Sequence, residues 1–173
     1  CQGILPTTDG SAALFNQATQ AIYEGTEGVV RVIEQLAGLG IPASLWESQI
    51  FPARVPAYST EMLAEPLATG VVVWSGQRKL GEDDGLVALH LQEYCAETLT
   101  LPPLDAPSLS PLERAILRVL ATGGAWFAQQ IGRQVTPQPG DANQFHEALW
   151  GLVWQGYITS DIWTPLRALT RAA

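Results

Sequence analysis

Residues Val71 to Leu91 read "VVVWSGQRKLGEDDGLVALHL". An apolar run ends at Trp74, a polar stretch carrying Arg78 and Lys79 follows, and an apolar run resumes at Leu86. Two strand-like runs around a glycine-punctuated loop spell a β-hairpin. Alternation lets Val73, Val87, Leu89 and Leu91 point inward, and the glycines at 76, 81 and 85 permit the reversal. Some hairpins with a basic tip touch nucleic acid, which makes Arg78 and Lys79 candidate phosphate contacts. Trp74, ending the first strand beside them, is a candidate for stacking on a base. The tip also carries Glu82, Asp83 and Asp84. These lie within a Debye length, ~8 Å at physiological salt, and largely cancel the field of the two cations.

Three helices are expected ahead of the hairpin. "SAALFNQATQAIYEG" is a weakly amphipathic leading segment. In "TEGVVRVIEQLAGLG", Thr26 is placed to cap, Val29, Ile33 and Leu36 recur at helical spacing, and Gly38 and Gly40 end the pattern. "IPASLWESQIFPARV" predicts a short helix opened by Pro42 and closed before Pro52. "YSTEMLAEPLATG" predicts another, with Ser59 as cap, Met62, Leu63 and Leu67 inward, and Pro66 as a distortion. Helices followed by a two-stranded hairpin are the order of a winged helix, with the hairpin as the wing.

A Pro-rich stretch, "TLTLPPLDAPSLSP", then reads as a semi-extended connector. It divides the chain into a first winged-helix-like domain at 1–97, a linker at 98–109 and a second such domain at 110–173. The second begins with a capping box, Ser110 with Pro111 at the first helical position and Glu113 three residues on. A short strand-like opening and a helix are expected in "AWFAQQIGRQV", and a helix capped by Asp141 in "DANQFHEALWGLVWQG". A short strand and a final helix near Pro165 follow in "YITSDIWTPLRAL". The fold class is therefore mainly α with small β-hairpins (α+β), as two tandem winged-helix-like domains that fold separately.

At 173 residues the chain has room for two small cores. No apolar run approaches the ~18 positions of a membrane helix, so no membrane partner is expected. The chain starts at Cys1 and not Met, so a piece of a longer protein is expected; a mature lipoprotein would also start with Cys, but nothing else in the sequence suggests export. Its two cysteines make no disulfide framework and no metal-type pair, which fits a reducing, cytoplasmic setting. The net charge of −8 argues against a protein that coats nucleic acid unaided. Residues 1–100 hold 4 Lys or Arg against 12 Asp or Glu, whereas residues 101–173 hold 5 against 5. The second half, with Arg114, Arg118 and Arg133, is thus better placed to meet a phosphate backbone.

Catalytic patterns fail on inspection. "HEALW", His146 to Trp150, opens like a zinc-protease motif but has Trp where the second histidine belongs. "EDDG" packs its carboxylates consecutively, without the alternating spacing of a calcium loop. No phosphate loop, nucleophile elbow or dinucleotide fingerprint occurs. Most of the six tryptophans fall at core-facing spacings. No catalytic residue, cofactor site or metal site is expected.

From about Gly25 onward the chain resembles a known family. The stretches "VIEQLAGLGIPASLWESQIFPARVPAYSTEMLAEPLATGVVVWSG", "LGEDDGLVAL" and "EALWGLVWQGYITSDIWTPLRAL" are similar to the C-terminal region of the bacterial large helicase-related (Lhr) family of DEAD/DEAH-type ATP-dependent helicases. Trp150, Trp154, Gly156, Thr159, Asp161, Pro165 and Arg167 fall on the recurring pattern of the last block, and "PARV" at Pro52 to Val55 with Tyr58 matches too. The resemblance implies a nucleic-acid-translocating parent linked to DNA repair, with a helicase core followed by winged-helix modules. ATP and magnesium would serve that parent, and no ATP-site residue has a counterpart here. A glycosylase-like activity is associated with the far C-terminal part of such proteins, and nothing in this chain carries it over. Pro66 departs from the pattern and argues against DNA reading by its helix.

Two functions are in play. The chain is a non-catalytic accessory region that binds or guides nucleic acid, DNA before RNA, beside a helicase core. Alternatively it is a structural or protein-interaction module that packs against neighbouring domains or subunits. The acidity of the first half favours the second reading for that half.

Overall fold

The hairpin forms, and the fold is arranged around it. In the computed structural model, which describes residues 24–135 and 141–171, Val72–Leu80 (β2) pairs antiparallel with Asp84–Leu91 (β3). The two-residue strand Ile41–Pro42 (β1) joins the other edge of β3, giving the order β1-β3-β2. Of the leading segment expected over residues 11–25, residues 11–23 lie outside the described residues.

Helix α1, Gly25–Gln35, buries Val29 and Ile33 completely, as the apolar spacing predicts, and Val32 with them, whereas Leu36, also expected inward, is half-buried at the C-cap. Thr26 does not cap it. Glu24 holds the N-cap position, and the Thr26 hydroxyl instead donates to Glu65 at 3.2 Å, tying α1 to a later helix. Helix α2 has three parts, Ala43–Leu45, a π-helical turn at Trp46–Ile50, and Phe51–Arg54. It runs through Pro52 and does not stop before it, because the π turn makes Pro52 a first-turn residue of the segment that follows, where no N–H is required. Helix α3, Glu61–Ala68, keeps Pro66 inside and turns Leu63, Pro66 and Leu67 to the core. Three helices with β1 between the first two, then the hairpin, make a winged helix, an α+β fold in which helix predominates.

Register decides which side of the wing faces in. Trp74 lies opposite Leu89, Val72 opposite Leu91, and Gly76 opposite Val87, so these share the inner face. Val73 pairs with His90 on the outer face and not, as expected, with the inward set. The outer face is covered in turn by a 3-10 turn, Gln92–Tyr94, and helix α4, Cys95–Thr98. There His90 is fully buried, its Nε2 2.7 Å from the Ser75 hydroxyl and its Nδ1 2.9 Å from the Thr98 hydroxyl. Thr98 spends its own proton on the Tyr94 carbonyl. The imidazole therefore donates from Nδ1, and in the neutral form that burial favours its Nε2 accepts from Ser75.

Beyond the connector come α5 (Pro111–Leu120), α6 (Ala128–Val135), α7 (Ala142–Trp154) and α8 (Thr164–Arg171). Ser110 accepts from the Glu113 amide at 3.2 Å, as the capping box predicts. Leu109, Ile116, Ile131 and Leu152 centre a small cluster among α5, α6 and α7. Among the described residues this half has no strand. The strands expected before α6 and after α7 do not form, so no second wing is seen among the described residues and the tandem pair of complete winged helices is not confirmed. The 157–163 segment runs beside the free edge strand β2 without forming a ladder on it, meeting it through the Thr159 hydroxyl and Trp163.

The expected independence of the halves gives way to a shared core. Val153, Trp154, Trp163 and Leu166 belong to one apolar cluster with Val29, Trp46, Phe51, Leu67, Trp74 and Leu89. The approach depends on two glycines of the wing. A Cβ on Gly76 would fall on the Val153 carbonyl, and a Cβ on Gly85 would fall inside the Trp154 ring.

Gly76→Ala should therefore destabilise the whole chain by roughly 1–3 kcal/mol in a denaturant melt, the range of overpacked cores. An unchanged midpoint would mean that α7 does not sit on the wing.

Burial also presses the His90 imidazole below its ordinary value of 6.5. As pH falls, the unfolded chain takes up the proton first, so stability is full above about pH 6.5 and declines below it, by at most ~1.4 kcal/mol per pH unit. The melting temperature of the unaltered chain should fall between pH 6.5 and pH 5, and His90→Gln should flatten that slope.

Candidate nucleic-acid interface

A winged helix ordinarily meets DNA with its third helix and its wing. Here the solvent face of α3 is Glu61, Ala64, Glu65 and Ala68, all exposed, with no cation. Glu24 and Glu27 at the start of α1 are exposed as well, and the Thr26–Glu65 bond holds that end beside α3. This face repels phosphate.

The wing offers little more. Trp74 is 2% exposed, packed edge-on against Trp163 with centroids 6.1 Å apart, and its carbonyl accepts from the Thr159 hydroxyl at 2.5 Å. It cannot stack on a base, and the expectation that it might is corrected: the second half covers the strand that was read as open. Arg78 and Lys79 are exposed, and a register shift between Gly76 and Arg78 precedes them. Lys79 pairs with Glu82 at 3.6 Å. Asp84 turns away from the tip, accepting from the Ser44 hydroxyl at 2.5 Å and from the amides of Ser44 and Gly85 at the start of α2.

The second half carries three more exposed cations, beside Arg54 and Arg78 in the first. Arg114 and Arg118 stand one turn apart on α5, both exposed, and Arg133 is exposed on α6. None of the three forms an ion pair among the described residues, and Arg114 reaches only the Ala106 carbonyl, at 3.4 Å.

Helix α7 bears a stripe at i, i+4 and i+8. Trp154 is buried on the wing, Trp150 is half-buried, and His146 is exposed. Trp150 stacks on Trp154 with centroids 5.5 Å apart at 22°, and its indole N–H donates to His146 Nε2 at 3.1 Å. The residue that spoils the zinc motif thus binds the histidine itself, and no metal-binding cluster occurs among the described residues.

Arg167 was visible in the sequence only as part of a recurring pattern. Its guanidinium makes a two-point bond to Glu47 on α2, at 2.6 and 2.8 Å, and Glu47 also accepts from the Tyr58 hydroxyl at 2.6 Å. Both charged side chains are largely shielded from solvent. Burial and the neighbouring carboxylate push the Tyr58 phenol well above its usual range. The trio joins the last helix to the first unit.

Arg167→Ala should cost about 2 kcal/mol or more, because it strands the Glu47 charge in a shielded site. A double-mutant cycle with Glu47→Gln in urea melts should return a coupling well above the ~0.2–1 kcal/mol of exposed pairs. Coupling near zero would make this contact incidental.

The family model of the large helicase-related protein winged-helix domain matches residues 11–92. The Lhr helicase/uracil glycosylase of Escherichia coli (strain K12) is 65% identical over 99% of this chain and 11% of its own length. The Lhr helicase/probable uracil glycosylase of Mycolicibacterium smegmatis is 42% identical over 84% of this chain and 9% of its own length. No helix among the described residues is long and apolar enough to cross a membrane. The chain spans about a tenth of the length of these relatives, and with its wing, its helix order and this likeness from end to end it belongs to the large helicase-related (Lhr) family, as a winged-helix accessory segment.

Proposed function

We propose that this segment guides nucleic acid, DNA before RNA, past the core of a parent helicase. It touches the strand backbone with its second half and packs against neighbouring protein with its first. The observation that carries this reading is the balance of charge. Arg114, Arg118 and Arg133 stand exposed without ion pairs among the described residues, in a half with 5 cations against 5 acids. Arg54 and Arg78, exposed and unpaired too, belong to a half with 4 against 12, whose α3 presents Glu61 and Glu65. Likeness to proteins named as helicases supports nucleic acid as the parent's partner. The acidic α3 favours neighbouring domains of the same polypeptide as the partner of the first half.

The parent, in this proposal, works in the cytoplasm in DNA repair and draws on ATP and magnesium bound outside this segment. The segment itself is not catalytic. Its residues position a strand.

Replacing Arg114, Arg118 and Arg133 together with Ala should weaken duplex binding and lower the slope of log affinity against log salt by up to about 3, near 0.9 per lost phosphate contact. Glu61→Ala with Glu65→Ala should leave both unchanged. An unchanged slope in the first variant would remove the second half as the contact, and a marked gain of affinity in the second would return α3 to the interface.

A further inference from the structure

We infer that the outer end of α7 and the wing tip form a stacking site for an unpaired nucleobase, with Trp150 as the platform, His146 at its rim and Lys79 beside it for the adjoining phosphate. The inference rests on the reading above that this segment meets nucleic acid, and it adds a place where single strands are told from duplex.

Trp150 is held on two sides. Trp154, seated over Gly85, stacks against one of its faces at 5.5 Å, and the 3.1 Å bond to His146 satisfies its one polar atom. The His146 ring stands at 76° to it, with centroids 6.3 Å apart. Such an indole has its orientation fixed in advance, and being only half-buried it keeps part of its surface open to a ligand. Base stacking asks for no more, and it is tolerant of sequence because every base has a π face.

The wing supplies the charge. Lys79 lies directly opposite Gly85 in the hairpin, and directly opposite residues project from the same face of a sheet. Lys79 therefore leaves the wing on the side that Trp154 covers. Its pairing with Glu82 is long and open to water, the two side chains being 51% and 90% exposed, so a phosphate oxygen can displace the carboxylate. The nearby acids Glu82, Asp83 and Glu147 oppose a close-packed run of phosphates, which favours one splayed base and its phosphate over a duplex groove.

The test uses fluorescence anisotropy with fluorescein-labelled oligothymidine of about a dozen nucleotides and a duplex of the same length. Trp150→Leu should weaken single-strand binding about 10-fold and duplex binding less than about 2-fold, and Trp150→Phe should retain most of the affinity. His146→Ala, an exposed change that leaves folding intact, should weaken the single strand about 3-fold. Lys79→Ala should lower the single-strand salt slope by about 0.7. If thermal melts show that Trp150→Leu unfolds, the His146→Ala and Lys79→Ala variants carry the test. Equal losses on both probes, or an unaltered single-strand affinity in His146→Ala and Lys79→Ala, would overturn the stacking site. If the triple arginine variant loses binding while the α7 variants keep it, the stacking site falls and the proposed function stands. If the unaltered chain binds neither probe at low salt, both fall.

Discussion

The absence of two β-carbons governs this molecule. Gly76 and Gly85 leave the inner face of the wing open enough for the last turn of α7 to lie directly on backbone, with the Val153 carbonyl against one glycine and the Trp154 ring against the other. Everything downstream depends on that approach. It brings Thr159 to the Trp74 carbonyl, Trp163 edge-on to Trp74, and α8 within reach of α2, where Arg167 meets Glu47. A wing is ordinarily an appendage that swings toward DNA. Here its inner face is built into a core.

Burying the wing changes what the segment can offer to a partner. The positions by which winged helices usually read DNA are taken up or repelled, Trp74 by packing and α3 by its own carboxylates. Surface left for nucleic acid is displaced toward α5, α6 and the outer end of α7. Fold likeness alone would have pointed at α3 and the wing, which is why function has to be argued from side chains and not from architecture.

Much of the local structure was legible in the sequence because its causes are local. The hairpin announced itself by alternation and glycine, α1 by its apolar spacing, and α5 by the Ser110–Glu113 box. What was not legible had tertiary causes. Alternation defines two faces of a strand without saying which is covered, so Val73 was placed inward where Trp74 belongs. Gly76 and Gly85 read as turn residues, although their main effect is to admit α7. The π turn that carries α2 through Pro52 leaves no pattern in composition. Of the strands foreseen in the second half, the one at 157–159 meets β2 by a side-chain bond and ring packing and not by a ladder. Glu47 and Arg167 stand 120 residues apart, and nothing near either one names the other. Of the candidate site, the three arginines were legible as exposed charge, whereas Trp150 was hidden among tryptophans assigned to the core.

The connector between the halves was read as a spacer, and its ends turn out to be anchored. Thr98 is bound to His90, Leu109 is buried, and the Pro103 carbonyl accepts from the Tyr157 hydroxyl at 2.5 Å. Association of the two halves is consequently set by the apolar seam and not by the tether. Loop-closure entropy grows only logarithmically, at about 0.6 kcal/mol for each doubling of length. The span between Leu99 and Leu101 can therefore lengthen over evolutionary time at small thermodynamic expense, whereas the seam at Gly76 and Gly85 admits almost no drift in side-chain volume.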